Sequence, residues 1–338
     1  MIITRSDPSL RARWVKRVFV LALRAMRRFG GGGTPAPDAP RQELEAYALQ
    51  LRDATERTLS RAPVGSDVEV APLAGAPVPV LVVAPRRLGG VPSGRTAQAE
   101  WLVAAPRVVL HLHGGAYIML SPNTHRGLAA AIARRADAVV VLPDYRLVPE
   151  HPYPAALDDT AETYRWLVHD LGLAPERLAV TGDSAGGGLG AALLVRLRDA
   201  GEALPACYVG MSAWLDLAGT GASMTELDGV DPWLSAAMNH VGAAAYAGDA
   251  PLDHPEVSPL YADLAGLPPM LLQVGGDEIL RDDTVRFAAR ARAAGVDASH
   301  GVYAGLWHVF QAFPGLPESR DALAEIGGFL RRHIPDDR

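Results

Sequence analysis

The chain has 338 residues, of which 49% are hydrophobic, and its formal net charge is −6. No run of eighteen apolar residues occurs, which excludes a membrane-spanning helix and predicts a soluble globular chain of one large domain or two. The acidic body of the chain excludes nucleic acid as a partner. Cys207 is the single cysteine, so no internal disulfide can form and a cytoplasmic location is expected.

Several classes of lysine-dependent enzyme are also excluded. The chain has one lysine, Lys16, which lies among arginines near the N-terminus. A phosphate-binding P-loop, a Schiff-base enzyme and a Ser-Lys hydrolase each need a lysine at the site. None of the three is expected here.

The first 28 residues carry eight basic side chains and one acidic side chain. Apolar residues recur there at roughly helical spacing, which predicts a cationic amphipathic helix; they are Trp14, Val18, Leu21 and Met26. A glycine- and proline-rich stretch from Gly30 to Pro40 follows, and we assign residues 1–40 to this helix and its hinge. The helix could lie on the protein or make weak contact with a membrane surface.

From residue 41 onward, short β-rich runs alternate with longer helical patterns. The predicted strands begin at Val78, Val108, Ala138, Leu178, Cys207, Met270 and Ser299. This alternation predicts an α/β fold with a mostly parallel sheet, helices on both faces and ligands at the carboxyl ends of the strands. Residues 218–259, with a predicted helix from Pro232 to Tyr246, interrupt the pattern. We interpret them as an insertion between the two parts of the core, 41–217 and 260–338.

The sequence "GDSAG" at Gly182 matches the Gly-x-Ser-x-Gly nucleophile elbow. At a sharp turn from strand to helix, the flanking glycines remove side chains that would collide, so Ser184 can project its hydroxyl. A serine N-cap beside a glycine-rich junction is the simpler alternative. Residues 186–191 also match a dinucleotide fingerprint, but no acid follows at the required distance near a strand end.

A nucleophilic serine needs a base and an acid, which follow it in the order Ser, acid, His in this fold class. Among the acids after the strand "MLLQVGG", Asp277 lies nearest the strand end, and we predict it as the acid. The other candidates are Glu278, Asp282 and Asp283, and Asp263 lies farther back, before the strand. Of the later histidines, His300 falls within a strand and His333 in a terminal helix, whereas His308 falls in a loop after the last strand. His308 is therefore the predicted base.

Two N–H donors are needed for the oxyanion, and the first should be the amide of Ala185. The second is expected from "HGGA" at His113, where glycines let the backbone amides turn inward. A plain glycine turn is the alternative for this stretch taken alone. The pair His111 and His113 could also suggest a metal site, but the further ligands that such a site needs are missing.

Together these motifs resemble the hormone-sensitive-lipase-like branch of the α/β-hydrolases, in particular its bacterial carboxylesterases. The resemblance rests on "HGGAY", "DYRLVPEHPYPAALDD", "GDSAGG", "DEILRDD" and "HVF" within residues 108–310. It implies an eight-stranded sheet with a helical cap built from residues 1–40 and 218–259. It also implies a catalytic triad, whose members here would be Ser184, Asp277 and His308. The implied oxyanion hole would consist of Gly114, Gly115 and Ala185. Tyr117, Trp214 and Trp233 are the predicted substrate-binding residues.

The sequence departs from the family pattern where Ala116 replaces the third glycine of the oxyanion motif. From the motifs and the resemblance, we nevertheless expect a serine carboxylesterase for short- to medium-chain esters that works through an acyl-enzyme. We expect it to need no cofactor or metal and to be a monomer or homodimer. Alternatives are a lactone or aryl amide hydrolase of the same fold, or a non-catalytic ligand-binding relative such as the plant gibberellin receptors. The presence of His308, which those receptors lack, argues for an enzyme.

Overall fold

A computed structural model describes residues 2–5, 7–18, 33–60 and 64–336. Its sheet has nine strands: β1 Ile2–Arg5, β2 Val68–Pro72, β3 Val80–Pro85, β4 Val108–Leu112, β5 Val139–Pro143, β6 Leu178–Asp183, β7 Cys207–Met211, β8 Met270–Gly275 and β9 Ala298–Tyr303. The spatial order is β1-β9-β8-β7-β6-β4-β5-β3-β2. All neighbours are parallel except β2–β3 and β3–β5. The predicted α/β-hydrolase fold is confirmed, with β1 as an additional edge strand.

Helices cover both faces of this sheet. They are α1 at residues 10–18, α2 Arg41–Leu59, α3 Arg95–Ala104, α4 Pro122–Ala136, α5 Ala155–Arg165, α6 Ser184–Asp199, α7 Ser223–Glu226, α8 Ala236–Ala247, α9 Arg281–Ala293 and α10 Pro317–His333. A π-helical turn, Trp166–Asp170, continues α5, and single 3₁₀ turns lie at Arg86–Leu88, Pro175–Arg177, Pro259–Tyr261 and Phe310–Ala312. Because both faces are covered, the central strands are fully buried and mostly apolar, and their polar residues are His111, Thr181 and Asp183.

The register of the central strands sets the position of the site. In the β4–β6 pair, Leu112 lies opposite Gly182, so the two strands end side by side. The loop after β4 therefore lies beside Ser184, the first residue of α6. This is the carboxyl edge at which ligands collect in open parallel sheets.

The N-terminal segment differs from its prediction. Residues 2–5, expected to be helical, form β1 and pair with β9, while residues 10–18 are helical as predicted. In α1 the buried residue is Ala12, which packs with Leu306 and Phe310, whereas Trp14 and Val18 are 65% and 44% exposed. Leu21, Met26 and residues 30–32 of the predicted helix and hinge lie outside the described residues.

The insertion between β7 and β8 is present, but its helix starts later than predicted. Helix α8 begins at Ala236 because the side chain of Ser235 caps it, accepting a hydrogen bond from the Met238 amide at 3.4 Å. The assignment of residues 218–259 and 1–40 to a cap remains a prediction. No helix among the described residues is both long and apolar enough to cross a membrane.

Candidate active site

Ser184 lies at a strained turn between β6 and α6. Its φ angle is +53°, a value that non-glycine residues seldom adopt, as predicted for a nucleophile elbow. The fold leaves no room for a side chain two residues further on, since a Cβ on Gly186 would lie 2.1 Å from the carbonyl oxygen of Leu112. The turn thus holds the Ser184 hydroxyl at the edge of the sheet, where it lines a cavity.

His308 contacts this serine directly. Its Nε2 lies 2.9 Å from Ser184 Oγ, and the imidazole is almost completely buried. The other two candidate histidines lie elsewhere: His300 is in β9 beside Arg292, and His333 ends α10 against Phe329. The structure therefore brings together the serine and the histidine that chain order selected.

The carboxylate beside the histidine belongs to Glu278, and the choice of Asp277 needs correction. Glu278 Oε2 lies 3.3 Å from His308 Nδ1 and accepts a hydrogen bond from Ser212 Oγ at 2.9 Å. Asp277 points away and pairs with Lys16 of α1, with 2.6 Å between Oδ2 and Nζ. Both acids lie in the turn that follows β8, where the pairing with Lys16 holds Asp277 away from the site and Glu278 faces His308.

The remaining acids of this stretch have structural partners. Asp282 and Asp283 are in the first turn of α9. Asp282 Oδ2 accepts a hydrogen bond from the Ser223 amide at 3.0 Å. Asp283 is buried, which raises its pKa well above the usual value, and its Oδ2 accepts hydrogen bonds from the amides of Leu215 and Asp216. It therefore supports the chain after Trp214 and does not contact His308.

The surroundings of His308 favour the protonated imidazole. Burial opposes the positive charge, but the hydrogen bond and charge of Glu278, together with the charges of Asp231 and Asp183, outweigh burial and raise the pKa of His308. Burial also raises the pKa of Glu278, an effect that the imidazole and Ser212 oppose. A histidine with a raised pKa is a stronger base towards a serine proton once it is neutral.

The candidate oxyanion donors come from two elements next to Ser184, the start of α6 and the loop after β4. Ala185 is the second residue of α6, so its amide is among the first four of the helix, which have no partner within it. Gly115 and Ala116 line the cavity, with φ angles of +119° and +53°. The Gly114 amide instead donates to His125 Nε2 at 3.4 Å, contrary to the prediction that it faces the oxyanion. Positive φ at two successive residues turns the loop, and these two residues, unlike Gly114, line the cavity.

The cavity at Ser184 measures about 220 Å³ and its lining is mostly apolar. Trp214 and Trp233, which were predicted to bind substrate, line it. Tyr117 does not: its φ angle of +62° turns it into the core, where its ring stacks on Tyr246 at a centroid distance of 3.6 Å. The other lining residues include Leu59, Met119, Leu120, Leu128, Leu234, Met238, Asn239, Ala312 and Phe313.

A buried polar cluster lies beneath the nucleophile. Asp183 Oδ1 is 3.2 Å from His125 Nε2 and 3.4 Å from His111 Nε2. Burial opposes the charge of Asp183, but the two histidines outweigh it and lower the pKa of the carboxyl group far below the usual value. His113 stacks on Tyr145, and burial lowers its pKa to about 3. Among the described residues, no group of three or more His, Cys, Asp or Glu side chains is arranged to hold a metal ion.

The family model for the α/β-hydrolase fold matches residues 109–312. An acetyl-hydrolase of Streptomyces hygroscopicus is 41% identical over 251 residues, which cover 72% of this chain and 84% of that protein. An esterase of Acinetobacter venetianus is 40% identical over 254 residues, covering 74% and 82%. Each relative is thus similar over most of its length.

Solved structures agree with these relatives. The crystal structure of EstE5 has a TM-score of 0.80 at 33% identity and covers 96% of this chain and 99% of its own. A crystal structure of an esterase from the bacterial hormone-sensitive lipase family has a TM-score of 0.75 at 39% identity, covering 94% and 98%. The similarity includes the strand ends that carry the site.

Proposed function

We propose a residue-level mechanism and a substrate class for this chain, which belongs to the α/β-hydrolase family and, within it, to the hormone-sensitive-lipase branch of bacterial esterases. The chain is a carboxylic ester hydrolase. The observation that carries the mechanism is the 2.9 Å contact between Ser184 Oγ and His308 Nε2, with Glu278 on the other side of the imidazole.

In the first half-reaction, Ser184 Oγ attacks the ester carbonyl carbon while His308 Nε2 accepts the hydroxyl proton. The amides of Gly115, Ala116 and Ala185 then stabilise the negative charge on the carbonyl oxygen. His308 returns the proton to the alcohol oxygen as the bond to the carbonyl carbon breaks. This leaves an acyl group on Ser184 and releases the alcohol.

In the second half-reaction, His308 takes a proton from water, whose oxygen attacks the acyl carbon. The carboxylic acid leaves as the proton returns to Ser184 Oγ. Throughout, the carboxylate of Glu278 holds the imidazole in the tautomer with a proton on Nδ1 and stabilises the imidazolium. No step of this mechanism uses a cofactor or a metal.

The cavity supports a small acyl group. Its volume of about 220 Å³ is below the range of roughly 300–1,000 Å³ typical of sites for drug-sized ligands. The relative from Streptomyces hygroscopicus is named an acetyl-hydrolase, which agrees with a short chain. We propose short- to medium-chain esters as the substrates. Lactones and aryl amides react through the same acyl-enzyme, so they remain candidates for secondary activity.

A panel of p-nitrophenyl esters with increasing acyl length tests this substrate class. We expect kcat/KM to be highest for the shorter chains and to fall beyond about eight carbons, because longer chains exceed the cavity. Release of nitrophenolate at 405 nm gives the rates. If this protein binds the esters but hydrolyses none of them, it is a ligand-binding relative and not an esterase.

The N-terminal segment supports a second part of the proposal. Leu10, Trp14 and Val18 recur every four residues on α1 and are 83%, 65% and 44% exposed. With the neighbouring arginines, this stripe suits weak contact with an anionic membrane surface. We further propose that the enzyme acts in the cytoplasm, because disulfides are rare there and Cys207 is free. We also propose that it is a monomer or homodimer.

A further inference from the structure

Asp231 lies in the insertion between β7 and β8, yet it is buried and contacts the loop of the catalytic histidine. Its Oδ2 accepts a hydrogen bond from the backbone N–H of His308 at 2.9 Å. Its Oδ1 accepts hydrogen bonds from the backbone N–H groups of Trp233 at 2.7 Å and Leu234 at 3.1 Å. One carboxylate thus joins the loop of the general base to two residues that line the substrate cavity.

The loop that Asp231 holds is strained. Val309, which follows His308, has a φ angle of +49°, and a β-branched residue rarely adopts this conformation. Such strain persists only where the surroundings determine it. The amide of Val309 donates to Ser212 Oγ at 3.0 Å, and the amide of His308 donates to Asp231. Asp231 therefore provides one of two tethers on successive amides of this turn.

Charge adds to the tether. Three carboxylates act on the imidazole of His308 from three parts of the fold: Glu278 from the turn after β8, Asp231 from the insertion and Asp183 from the end of β6. Asp231 therefore stabilises the positive charge that His308 acquires while the serine proton is in transfer. Its own burial works against ionisation and raises its pKa, an effect that the charge of His308 and three N–H donors oppose.

We propose that Asp231 is a positioning residue of the esterase, which fixes the backbone of His308 against the cavity wall and stabilises its imidazolium. The proposal rests on the serine mechanism above. It gives the insertion a defined part in the reaction: a change in the cavity wall at Trp233 and Leu234 reaches the general base through one carboxylate.

Two substitutions separate the tether from the charge. Asp231→Asn keeps the size of the side chain but removes its charge. The asparagine side chain can accept hydrogen bonds through its oxygen alone, because its nitrogen is a donor. Asp231→Glu keeps the charge but displaces it by one methylene group. Asp263→Asn is the matched control, because Asp263 is exposed and accepts a similar hydrogen bond from the amide two residues further on, at Ala265.

The measurements are kcat, KM and the acid limb of the pH profile for p-nitrophenyl acetate and hexanoate. Active sites are counted by a p-nitrophenyl phosphonate, which transfers its phosphonyl group to Ser184 and releases nitrophenolate. This count corrects for any misfolded fraction. We expect Asp231→Asn to lower kcat about 10- to 100-fold, with a smaller change in KM, since a small misplacement of the base is costly. The acid limb should move to lower pH by about one unit.

In Asp231→Glu we expect a reduced kcat with the acid limb at its wild-type position, and in Asp263→Asn no change. Wild-type kinetics in Asp231→Asn would overturn the proposal. A rate loss without movement of the acid limb would also overturn it, because it would mean that Asp231 only supports the fold. Ser184→Ala is measured alongside: if that variant retains activity, the serine mechanism itself fails, whereas an inactive Ser184→Ala beside an unaffected Asp231→Asn rejects the Asp231 proposal alone.

Discussion

Glu278 and Asp277 are adjacent acids with opposite surroundings, and this makes them a matched pair. Glu278 is completely buried beside His308, whereas the Asp277 side chain is 33% exposed and paired with Lys16. We expect Glu278→Gln to lower kcat roughly 10³- to 10⁴-fold, because an amide neither stabilises the imidazolium nor enforces the tautomer. Asp277→Asn should change kcat less than about threefold, since a partly exposed ion pair contributes little.

Steady-state kinetics at pH 8 on p-nitrophenyl acetate measure both variants, with circular dichroism as the control for folding. The reverse order, with Asp277→Asn the more damaging change, would return the role of the acid to Asp277. Equal and small losses would mean that no carboxylate orients His308.

The pKa of His308 predicts the pH dependence of activity. The imidazole must be neutral to accept the serine proton, and its pKa is raised above the usual value of 6.5. Less than half of the imidazole is therefore neutral at pH 6.5, and kcat/KM should rise with pH through a single step whose midpoint lies above that value. Glu278→Gln should move the midpoint down. A wild-type midpoint below 6.5 would contradict the electrostatic description of the site.

At the scale of elements, the contact between α4 and α10 depends on one small residue. A Cβ on Gly327 would lie 2.6 Å from both the Cβ and the carbonyl oxygen of Arg135. At this point the two helices are therefore too close for a side chain on α10. We expect Gly327→Ala to lower the free energy of unfolding by about 1–3 kcal/mol through overpacking. Thermal and urea unfolding measure the change.

The neighbouring glycine is the control. A Cβ on Gly328 meets only the flexible end of the Arg332 side chain at 3.5 Å. Gly328→Ala should therefore raise the free energy of unfolding by about 0.5–1 kcal/mol, because alanine restricts the unfolded chain more and favours the helix. Destabilisation of the same size in both variants would show that the close approach of α10 to α4 is not the cause.

Local patterns predict an element when its signal lies within its own sequence. The central strands and α6 could be predicted because their apolar runs and the glycines around Ser184 are local. The strand Ile2–Arg5 could not, since four residues carry too little pattern and its partner β9 lies about 300 residues away. The glycine motif alone also does not specify the backbone angles that bring residues 115 and 116 to the cavity.

At the scale of the whole molecule, the site combines parts from distant regions of the chain. The order of residues along the chain was enough to predict Ser184 and His308, because the fold brings the ends of β6 and β9 to the same edge of the sheet. The choice between Asp277 and Glu278 depended on the turn after β8, where the amide of Asp277 donates to the carbonyl of Leu306, and on the position of Lys16. Such contacts arise only in the folded chain, so proximity to the strand end selected the wrong neighbour.

The central claim is that Ser184 carries the acyl group. The most direct measurement is mass spectrometry of the intact enzyme, quenched in acid within milliseconds of mixing with p-nitrophenyl acetate, combined with kcat for wild type and Ser184→Ala. We predict one acetyl group per chain in the wild type, located on the peptide that contains Ser184. In Ser184→Ala we predict no acetyl group and a kcat lower by something on the order of a millionfold. An acetylated Ser184→Ala chain, or one that keeps more than about a tenth of the wild-type kcat, would contradict the account.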